Sequence, residues 1–222
     1  MYQLVIFDWD GTLMDSTQKI ANCIRLSARD VGLPEPTFEQ AKSIIGLGLA
    51  ECMNILFPEA TSNEKRAMVE RYKYQFVTGD QTQQMLFEGV KDGLEELNNR
   101  GIMLAIATGK SRVGLDRVLS VTELETAFAV TRCADETRSK PHPQMLQEIL
   151  DFTAIDATKA IMIGDTTFDL EMAENAGVAG LGVSYGAHDS ARLVGCSQAA
   201  IVDSPKEMID WLLDGRIEKA YE

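Results

Sequence analysis

Two carboxylates follow the first apolar segment of the chain. Residues 4–7 (LVIF) have the pattern of a buried parallel strand, and Asp8 and Asp10 come directly after them in the stretch DWDGT. Gly11 permits a sharp turn there and lets its N–H approach an anion. The D-x-D-G pattern also occurs in calcium loops, but the later ligands and closing Glu of an EF-hand do not follow here. This stretch therefore indicates a catalytic site at the end of a strand.

Further polar side chains follow three later apolar segments, each of which is a predicted strand. They are Thr108 and Lys110, with the exposed amide of Gly109 between them, after residues 102–107, Lys140 after residues 128–131, and Asp165 and Asp169 after residues 161–163. Open α/β sheets place their sites outside the carboxyl ends of the strands. We therefore expect these groups to converge with the two carboxylates on one rim of the sheet.

The residue types at this rim suit the hydrolysis of a phosphate monoester. Such an ester is anionic and resists an anionic nucleophile, so Mg²⁺ held by hard oxygen ligands would offset the repulsion. Asp8, Asp165 and a backbone carbonyl, that of Asp10, could bind the ion. Asp8 would attack phosphorus and hold the phosphoryl group, while Thr108, Lys140 and loop amides hold its oxygens. Asp10 could protonate the leaving alkoxide and then take a proton from water.

The order of apolar segments predicts the architecture. Residues 102–107, 128–131, 161–163 and 180–183 alternate with helical patterns, which indicates a doubly wound, mainly parallel, Rossmann-like α/β sheet. Residues 16–87 instead read as four helices and are too long for one crossover. We expect an α/β core from residues 1–15 and 88–222, with residues 16–87 as an inserted all-helical subdomain.

Within the insertion, two sequence patterns predict where helices begin. Thr37-x-x-Gln40 and Thr61-x-x-Glu64 have the form of capping boxes. Apolar side chains at helical spacing are expected to form the core of the insertion: Met68, Tyr72 and Phe76.

These four elements, in this order, resemble motifs one to four of the haloacid dehalogenase superfamily. The resemblance covers almost the whole chain, includes a helical cap at the position called C1, and is closest to the phosphoglycolate-phosphatase-like branch. It implies that Asp8 is the nucleophile and Asp10 the acid/base. It implies a Mg²⁺ site at Asp8, Asp10, Asp165 and Asp169, and a substrate site at Trp9 (through its amide), Gly11, Thr12, Thr108, Gly109, Lys140, Gly46 and Leu47.

Other activities of the same fold stay open. A sugar phosphomutase would share Asp10, but its cap loop tends to be basic, whereas residues 46–49 read GLGL. A dehalogenase would not need Asp10, and an ion pump would need membrane spans. A phospho-accepting signalling protein would lack the helical insertion, and a non-catalytic binding protein would not need the full set of motifs. For Lys110 and Asp15, the sequence does not distinguish a role in catalysis from ordinary surface or hinge contacts.

The bulk composition restricts the partners and the compartment. The chain has 34 acidic and 21 basic residues, and a net charge of −13 argues against nucleic acid or an anionic membrane as partner. Four scattered cysteines, no signal peptide and no apolar run of membrane-spanning length predict a cytoplasmic protein. We expect a small phosphorylated metabolite as substrate. The motifs leave its identity open, among phosphoglycolate, sugar phosphates, nucleotides and cofactor phosphates, and do not set the oligomeric state.

Overall fold

A computed structural model describes residues 1–220 of the chain, and within that range eight strands fall into two sheets. The strands are β1 (Leu4–Phe7), β2 (Met14–Asp15), β3 (Met85–Leu86), β4 (Met103–Thr108), β5 (Val130–Cys133), β6 (Ala160–Gly164), β7 (Ala179–Val183) and β8 (Ala200–Val202). Six of them form a parallel sheet in the order β5-β4-β1-β6-β7-β8. The central strand β1 is apolar throughout because both of its faces are covered.

Helices cover both faces of this sheet. The described helices are α1 (Thr17–Val31), α2 (Phe38–Lys42), α3 (Leu49–Leu56), α4 (Ser62–Tyr74), α5 (Val90–Asn99), α6 (Arg112–Thr122), α7 (Gln144–Thr153), α8 (Thr167–Ala176), α9 (Ser190–Leu193) and α10 (Pro205–Leu213), with a π-helical turn at Gln75–Gly79 and a 3-10 turn at Ala157–Lys159. Val5 and Phe7 pack with α5, α6 and α10, while Leu4 and Ile6 pack with α7 and α8. The predicted doubly wound α/β sheet is confirmed.

The helices α1–α4 and the π-helical turn form an insertion, residues 17–79, whose hydrophobic cluster also includes Ala187 and Phe168 from the rest of the chain. Thr37 with Gln40 and Thr61 with Glu64 form the two expected capping boxes, in which each threonine accepts the N3 amide hydrogen. Met68 is completely buried in the cluster.

The two connections of the insertion to the sheet lie side by side. The short strands β2 and β3 pair in antiparallel fashion, with Met14 opposite Leu86 and Asp15 opposite Met85. The sequence prediction of no strand within residues 16–87 was wrong here, because two-residue strands have no periodicity to detect. Asp15 is exposed on this ribbon.

Two other boundaries differ from the prediction. The strand expected at residues 128–131 lies at Val130–Cys133, because the Phe128 ring turns into the core and meets the Trp9 ring edge-on. The edge strand β8 was not predicted, since three apolar residues are too few to distinguish from a loop. None of the helices within residues 1–220 is both long and apolar enough to cross a membrane.

Candidate active site

Three adjacent strands carry the centre of the site. Phe7 in β1 lies opposite Ile106 in β4 and Ile163 in β6, so the three strands end at nearly the same level. The residues that follow or close these strands, Asp8, Thr108 and Asp165, are therefore neighbours on the rim, and all three are buried. Parallel pairing brings them together although up to 157 positions separate them in the sequence.

Asp8 combines burial with an incomplete set of partners. Its Oδ1 lies 2.7 Å from the Nζ of Lys140, while its Oδ2 has no hydrogen-bond partner among the described residues. Burial raises the pKa of the Asp8 carboxyl to about 7 in the metal-free chain, and the nearby charge of Lys140 opposes that rise. A buried carboxylate oxygen without a partner is costly unless a cation or substrate completes the site.

Lys140 is enclosed between two carboxylates. Its Nζ lies 2.7 Å from Asp8 Oδ1 and 2.6 Å from Asp169 Oδ1, and the side chain is fully buried. Burial acts to lower the pKa of Lys140, but Asp169 and Asp8 outweigh it and raise the pKa above the ordinary value of lysine. The residue therefore stays charged at neutral pH and can offer its ammonium to an anion.

Asp8, Asp165 and Asp169 each offer a carboxylate oxygen, and these atoms lie within 4.8 Å of one another. Asp165 is held in place because its Oδ1 accepts from the Thr12 hydroxyl at 3.0 Å and its Oδ2 from the Ala187 amide at 2.6 Å. Burial, followed by the charges of Asp8 and Asp169, raises the pKa of Asp165 well above its usual range. Concentrated negative charge, hard oxygens and the unpartnered Asp8 Oδ2 fit a divalent cation such as Mg²⁺.

Asp169 also stabilises the start of α8. Its Oδ2 accepts hydrogen bonds from the amide and the hydroxyl of Thr166, which forms a capping box. Its other oxygen contacts Lys140. The same side chain thus fixes the helix and supplies one corner of the carboxylate cluster.

Two glycines allow the close approach of the backbone to Asp165. A Cβ on Gly11 would lie 2.2 Å from Asp165 Oδ2, and a Cβ on Gly186 would lie 2.3 Å from the same atom. Gly11 also has a φ of +87°, which disfavours any other residue. Gly186 was not identified from the sequence, although its loop follows the predicted strand at residues 180–183 and so belongs to the same rim.

The Asp10 side chain lies apart from the carboxylate cluster. Lys110 Nζ lies 2.9 Å from both of its oxygens, and the Ser16 hydroxyl donates to its Oδ1 at 2.6 Å. Three of the four carboxylates predicted to bind Mg²⁺ are thus gathered together, and the fourth faces Lys110. The main-chain carbonyl is therefore the only group of Asp10 that remains available to bind a metal. Ser16 was not identified from the sequence, where it marked only the start of the insertion.

Comparison with known proteins decides the family. The sequence model of the family described as "Haloacid dehalogenase-like hydrolase" matches residues 5–183, more than half of the chain. The chain belongs to this family. Its hydrolase activity and the resemblance inferred from the four motifs are thereby confirmed.

Two relatives illustrate the range within this haloacid dehalogenase-like family. The chain is 33% identical to "Probable phosphatase IndB" of Dickeya dadantii over 214 residues, covering 94% of this chain and 93% of that protein. It is 31% identical to a phosphoglycolate phosphatase of Aliivibrio fischeri, covering 83% and 85% of the two chains. The solved structure of a hydrolase from Pseudomonas syringae superposes with a TM-score of 0.87 at 20% identity, covering 96% and 99%, which shows the shared fold.

In this haloacid dehalogenase-like chain Thr108 and Gly109, at the end of β4, belong to the same rim. Thr108 is fully buried, and its hydroxyl accepts from the Lys110 amide at 3.2 Å. A Cβ on Gly109 would lie 2.5 Å from the carbonyl oxygen of Gly46 and 2.6 Å from that of Leu47. The Trp9 indole is buried in the sheet core, so its side chain points away from the rim.

The helical insertion touches the rim through its own main chain. The Gly48 amide donates to the Ser139 hydroxyl at 2.8 Å, and the Leu47 side chain is buried within the insertion's hydrophobic cluster. The turn at residues 46–49 therefore presents backbone groups to the core, where the sequence suggested an apolar surface. Neither Ser139 nor its partner could be paired from sequence, since 91 positions separate them.

His188 forms a second link between insertion and core. Its Nδ1 accepts from the Thr167 amide at 3.1 Å, so the proton lies on Nε2, which donates to the Ser43 carbonyl at 3.0 Å. Burial lowers the pKa of His188, which keeps the ring neutral at physiological pH.

Proposed function

We propose that the protein is a Mg²⁺-dependent phosphatase that hydrolyses a small phosphate monoester through a phosphoryl group carried on Asp8. The observation that carries the proposal is the buried Asp8 carboxylate, with Lys140 on one oxygen and no hydrogen-bond partner among residues 1–220 on the other. The relatives named as phosphatases and phosphoglycolate phosphatases support the same reaction class.

The charged groups of the rim divide into two sets in this proposal. Asp8, Asp165 and Asp169, with the main-chain carbonyl of Asp10, hold the metal; when bound, Mg²⁺ supplies the positive charge that offsets the charge of the ester. The phosphoryl oxygens are held by the Lys140 ammonium and by a second set of uncharged donors. Those donors are the Thr108 hydroxyl and the main-chain amides of Trp9 and Gly109. The Gly11 and Thr12 amides, also expected there from the sequence, instead donate to the carbonyl oxygens of Met14 at 2.8 Å and Trp9 at 3.4 Å.

The chemistry then proceeds in two displacements. A carboxylate oxygen of Asp8 attacks phosphorus, the bond from phosphorus to the leaving oxygen breaks, and Asp10 gives that oxygen a proton. Water next attacks the same phosphorus, Asp10 takes the water proton, and the bond between phosphorus and Asp8 breaks to release inorganic phosphate. Lys110 and Ser16 keep the Asp10 carboxyl in one place through both steps.

The helical insertion acts as a cap in this scheme, with residues 16–87 as the cap and residues 1–15 and 88–222 as the core; positions 221 and 222 lie outside the described residues. The β2–β3 ribbon supplies two adjacent connections about which a cap can swing. In the conformation described, Gly46 and Leu47 lie against Gly109, directly after Thr108. Closure excludes bulk water from the phosphoryl transfer.

The test is a phosphate-release assay on a panel of phosphorylated metabolites, with Mg²⁺ and with EDTA. We expect metal-dependent release of inorganic phosphate and a covalent phosphoryl group on the peptide containing Asp8, trapped by rapid quenching and located by mass spectrometry. A phosphomutase would instead return an isomer of a sugar phosphate with little free phosphate. Wild-type protein that releases phosphate from no monoester would refute the proposal.

A further inference from the structure

The loop at residues 184–188, which follows β7, lies against Asp165, one of the three clustered carboxylates. The Ala187 amide donates to Asp165 Oδ2 at 2.6 Å, and the His188 amide donates to the Asp165 main-chain carbonyl at 3.2 Å. A Cβ on Gly186 would lie 2.3 Å from the same Oδ2, so the loop backbone passes directly over the carboxylate. The loop therefore fixes one of the two oxygens that Asp165 can offer to a metal.

Tyr185, in the same loop, reaches the other oxygen of Asp165 through Thr12. The Tyr185 hydroxyl donates to the main-chain carbonyl of Thr12 at 3.0 Å, and the Thr12 hydroxyl donates to Asp165 Oδ1 at 3.0 Å. Thr12 is completely buried, and a buried carbonyl needs a donor from the protein. Both oxygens of Asp165 are thus oriented from residues 184–188, one directly and one through Thr12.

The Tyr185 hydroxyl keeps its proton at neutral pH. Burial raises the pKa of Tyr185, and the charge of Asp165 raises it further. The Met208 sulfur lies 3.5 Å from the same hydroxyl, but a thioether is a weak acceptor. The proton is therefore donated to the Thr12 carbonyl, which is the stronger acceptor.

The ring of Tyr185 is held by the second connection between the insertion and the core. Phe87 directly follows β3, and its ring meets the Tyr185 ring edge-on with 4.9 Å between the centroids. The Phe87 amide donates at 3.0 Å to the carbonyl of Leu13, the residue next to Thr12. Tyr185 therefore contacts both chain segments that join the insertion to the core.

We propose that Tyr185 is a positioning residue for the metal site, which orients Asp165 through Thr12 and links that orientation to the connections of the insertion. This inference rests on the Mg²⁺ site of the proposed function. Each oxygen of Asp165 accepts one hydrogen bond and keeps a lone pair for a metal. Mg²⁺ requires near-octahedral geometry, and partners that hold a ligand in place commonly change metal affinity by about 10- to 100-fold. Rotation of the Asp165 carboxylate should therefore weaken Mg²⁺ binding.

The experiment measures the apparent Kd of Mg²⁺ for the metal-free full-length protein by isothermal titration calorimetry. Tyr185→Phe keeps the ring beside Phe87 but removes the hydroxyl, and should raise Kd about 3- to 10-fold. Thr12→Val removes the hydroxyl that contacts Asp165 directly, and should raise Kd about 10- to 100-fold. The matched control is Tyr74→Phe, which removes a hydroxyl from an exposed tyrosine of the insertion and should leave Kd unchanged.

Two further variants test the route of this effect. In the Thr12→Val background, Tyr185→Phe should raise Kd by less than about twofold, because its path to Asp165 is already broken. An additional rise as large as in the wild-type background overturns the route through Thr12. Phe87→Leu keeps the Tyr185 hydroxyl but loosens the ring, and should raise Kd about two- to threefold. An unchanged Kd in that variant overturns the link to the insertion.

The outcomes separate this inference from the function on which it rests. An unchanged Kd in Tyr185→Phe, with or without a lower Tm in EDTA, overturns the inference and leaves the phosphatase proposal standing. Wild-type protein that binds Mg²⁺ but releases phosphate from no monoester refutes the phosphatase proposal, while the Kd of Tyr185→Phe still decides the inference. Wild-type protein that binds no Mg²⁺ refutes both. If Tyr185→Phe does not fold, Tyr185→His takes its place, because its shorter ring also loses the Thr12 carbonyl, and an unchanged Kd again overturns the inference.

Discussion

Lys110 holds both carboxylate oxygens of Asp10 at 2.9 Å, and the same ammonium lies 5.1 Å from the ring centroid of Phe76 in the helical insertion. The carboxyl proposed as acid and base is thus fixed by a residue that also contacts the insertion. Both oxygens are engaged at once, which fixes the orientation of the Asp10 side chain in the conformation described. This relationship ties the geometry of proton transfer to the position of the insertion.

The first prediction concerns proton transfer by Asp10. Asp10→Asn should slow an alkyl phosphate by about 100- to 10,000-fold, and an aryl ester such as p-nitrophenyl phosphate much less, because its leaving group needs little protonation. Lys110→Gln should also slow the alkyl phosphate more than the aryl ester, but by a smaller factor, because it only loosens the position of the Asp10 carboxyl. Steady-state kinetics on both esters measures this; equal losses on both would argue against proton transfer by Asp10.

The second prediction concerns Asp8 and pH. Asp8→Asn should abolish turnover because an amide cannot attack phosphorus. The folded carboxyl titrates near pH 7 and the unfolded one near 3.8, so between these values the folded chain keeps a proton that the unfolded chain has lost. The free energy of unfolding of the metal-free wild type therefore falls as pH rises through this window. The Asp8→Asn variant does not lose stability in this way, because its amide does not titrate.

Thermal unfolding in EDTA between pH 4 and 8 tests the pH effect. The advantage in Tm of Asp8→Asn over wild type should grow up to about pH 7 and then level off, corresponding to at least about 1 kcal/mol at pH 8. Asp151→Asn, which changes an exposed aspartate on α7, provides the control and should show a constant difference. A difference that does not depend on pH for Asp8→Asn would contradict the burial argument.

The third prediction concerns the metal. Buried carboxylates that repel one another should make the native state bind Mg²⁺ and be stabilised by it, by about 2.7 kcal/mol at a hundredfold excess over Kd. Asp165→Asn should reduce the gain in Tm, and Asp151→Asn should preserve it. Ca²⁺, which is larger and prefers more ligands, should bind yet support turnover poorly. Full activity after complete chelation would rule out the metal requirement.

The fourth prediction concerns His188 as a link between insertion and core. His188→Asn keeps an acceptor near Nδ1 but loses the bond to Ser43, whereas His188→Gln can keep a donor near Nε2. Loss of one such hydrogen bond should lower kcat/KM about two- to tenfold and speed amide hydrogen exchange at residues 44–49. We expect the larger effect for Asn. The control is His142→Asn at the other histidine; faster exchange in neither His188 variant would exclude the link.

The sequence by itself determined the α/β alternation, the helical insertion and the residue types on the rim. Short continuous apolar runs bounded by turn residues favour buried strands, and Asp8, Thr108, Lys140 and Asp165 each follow one. Capping boxes at residues 37–40 and 61–64 were equally readable, because a cap is a local interaction within four residues.

Only the tertiary structure decided which charges face one another. Lys110 and Asp10 are 100 positions apart, Ser139 and Gly48 are 91 apart, and the Tyr72, Phe76 and Arg117 group joins the insertion to α6. No local pattern encodes such pairs, because they arise from how parallel strands and the insertion stack. The same stacking turned the Leu47 side chain into the insertion and separated the Asp10 carboxylate from Asp8, Asp165 and Asp169.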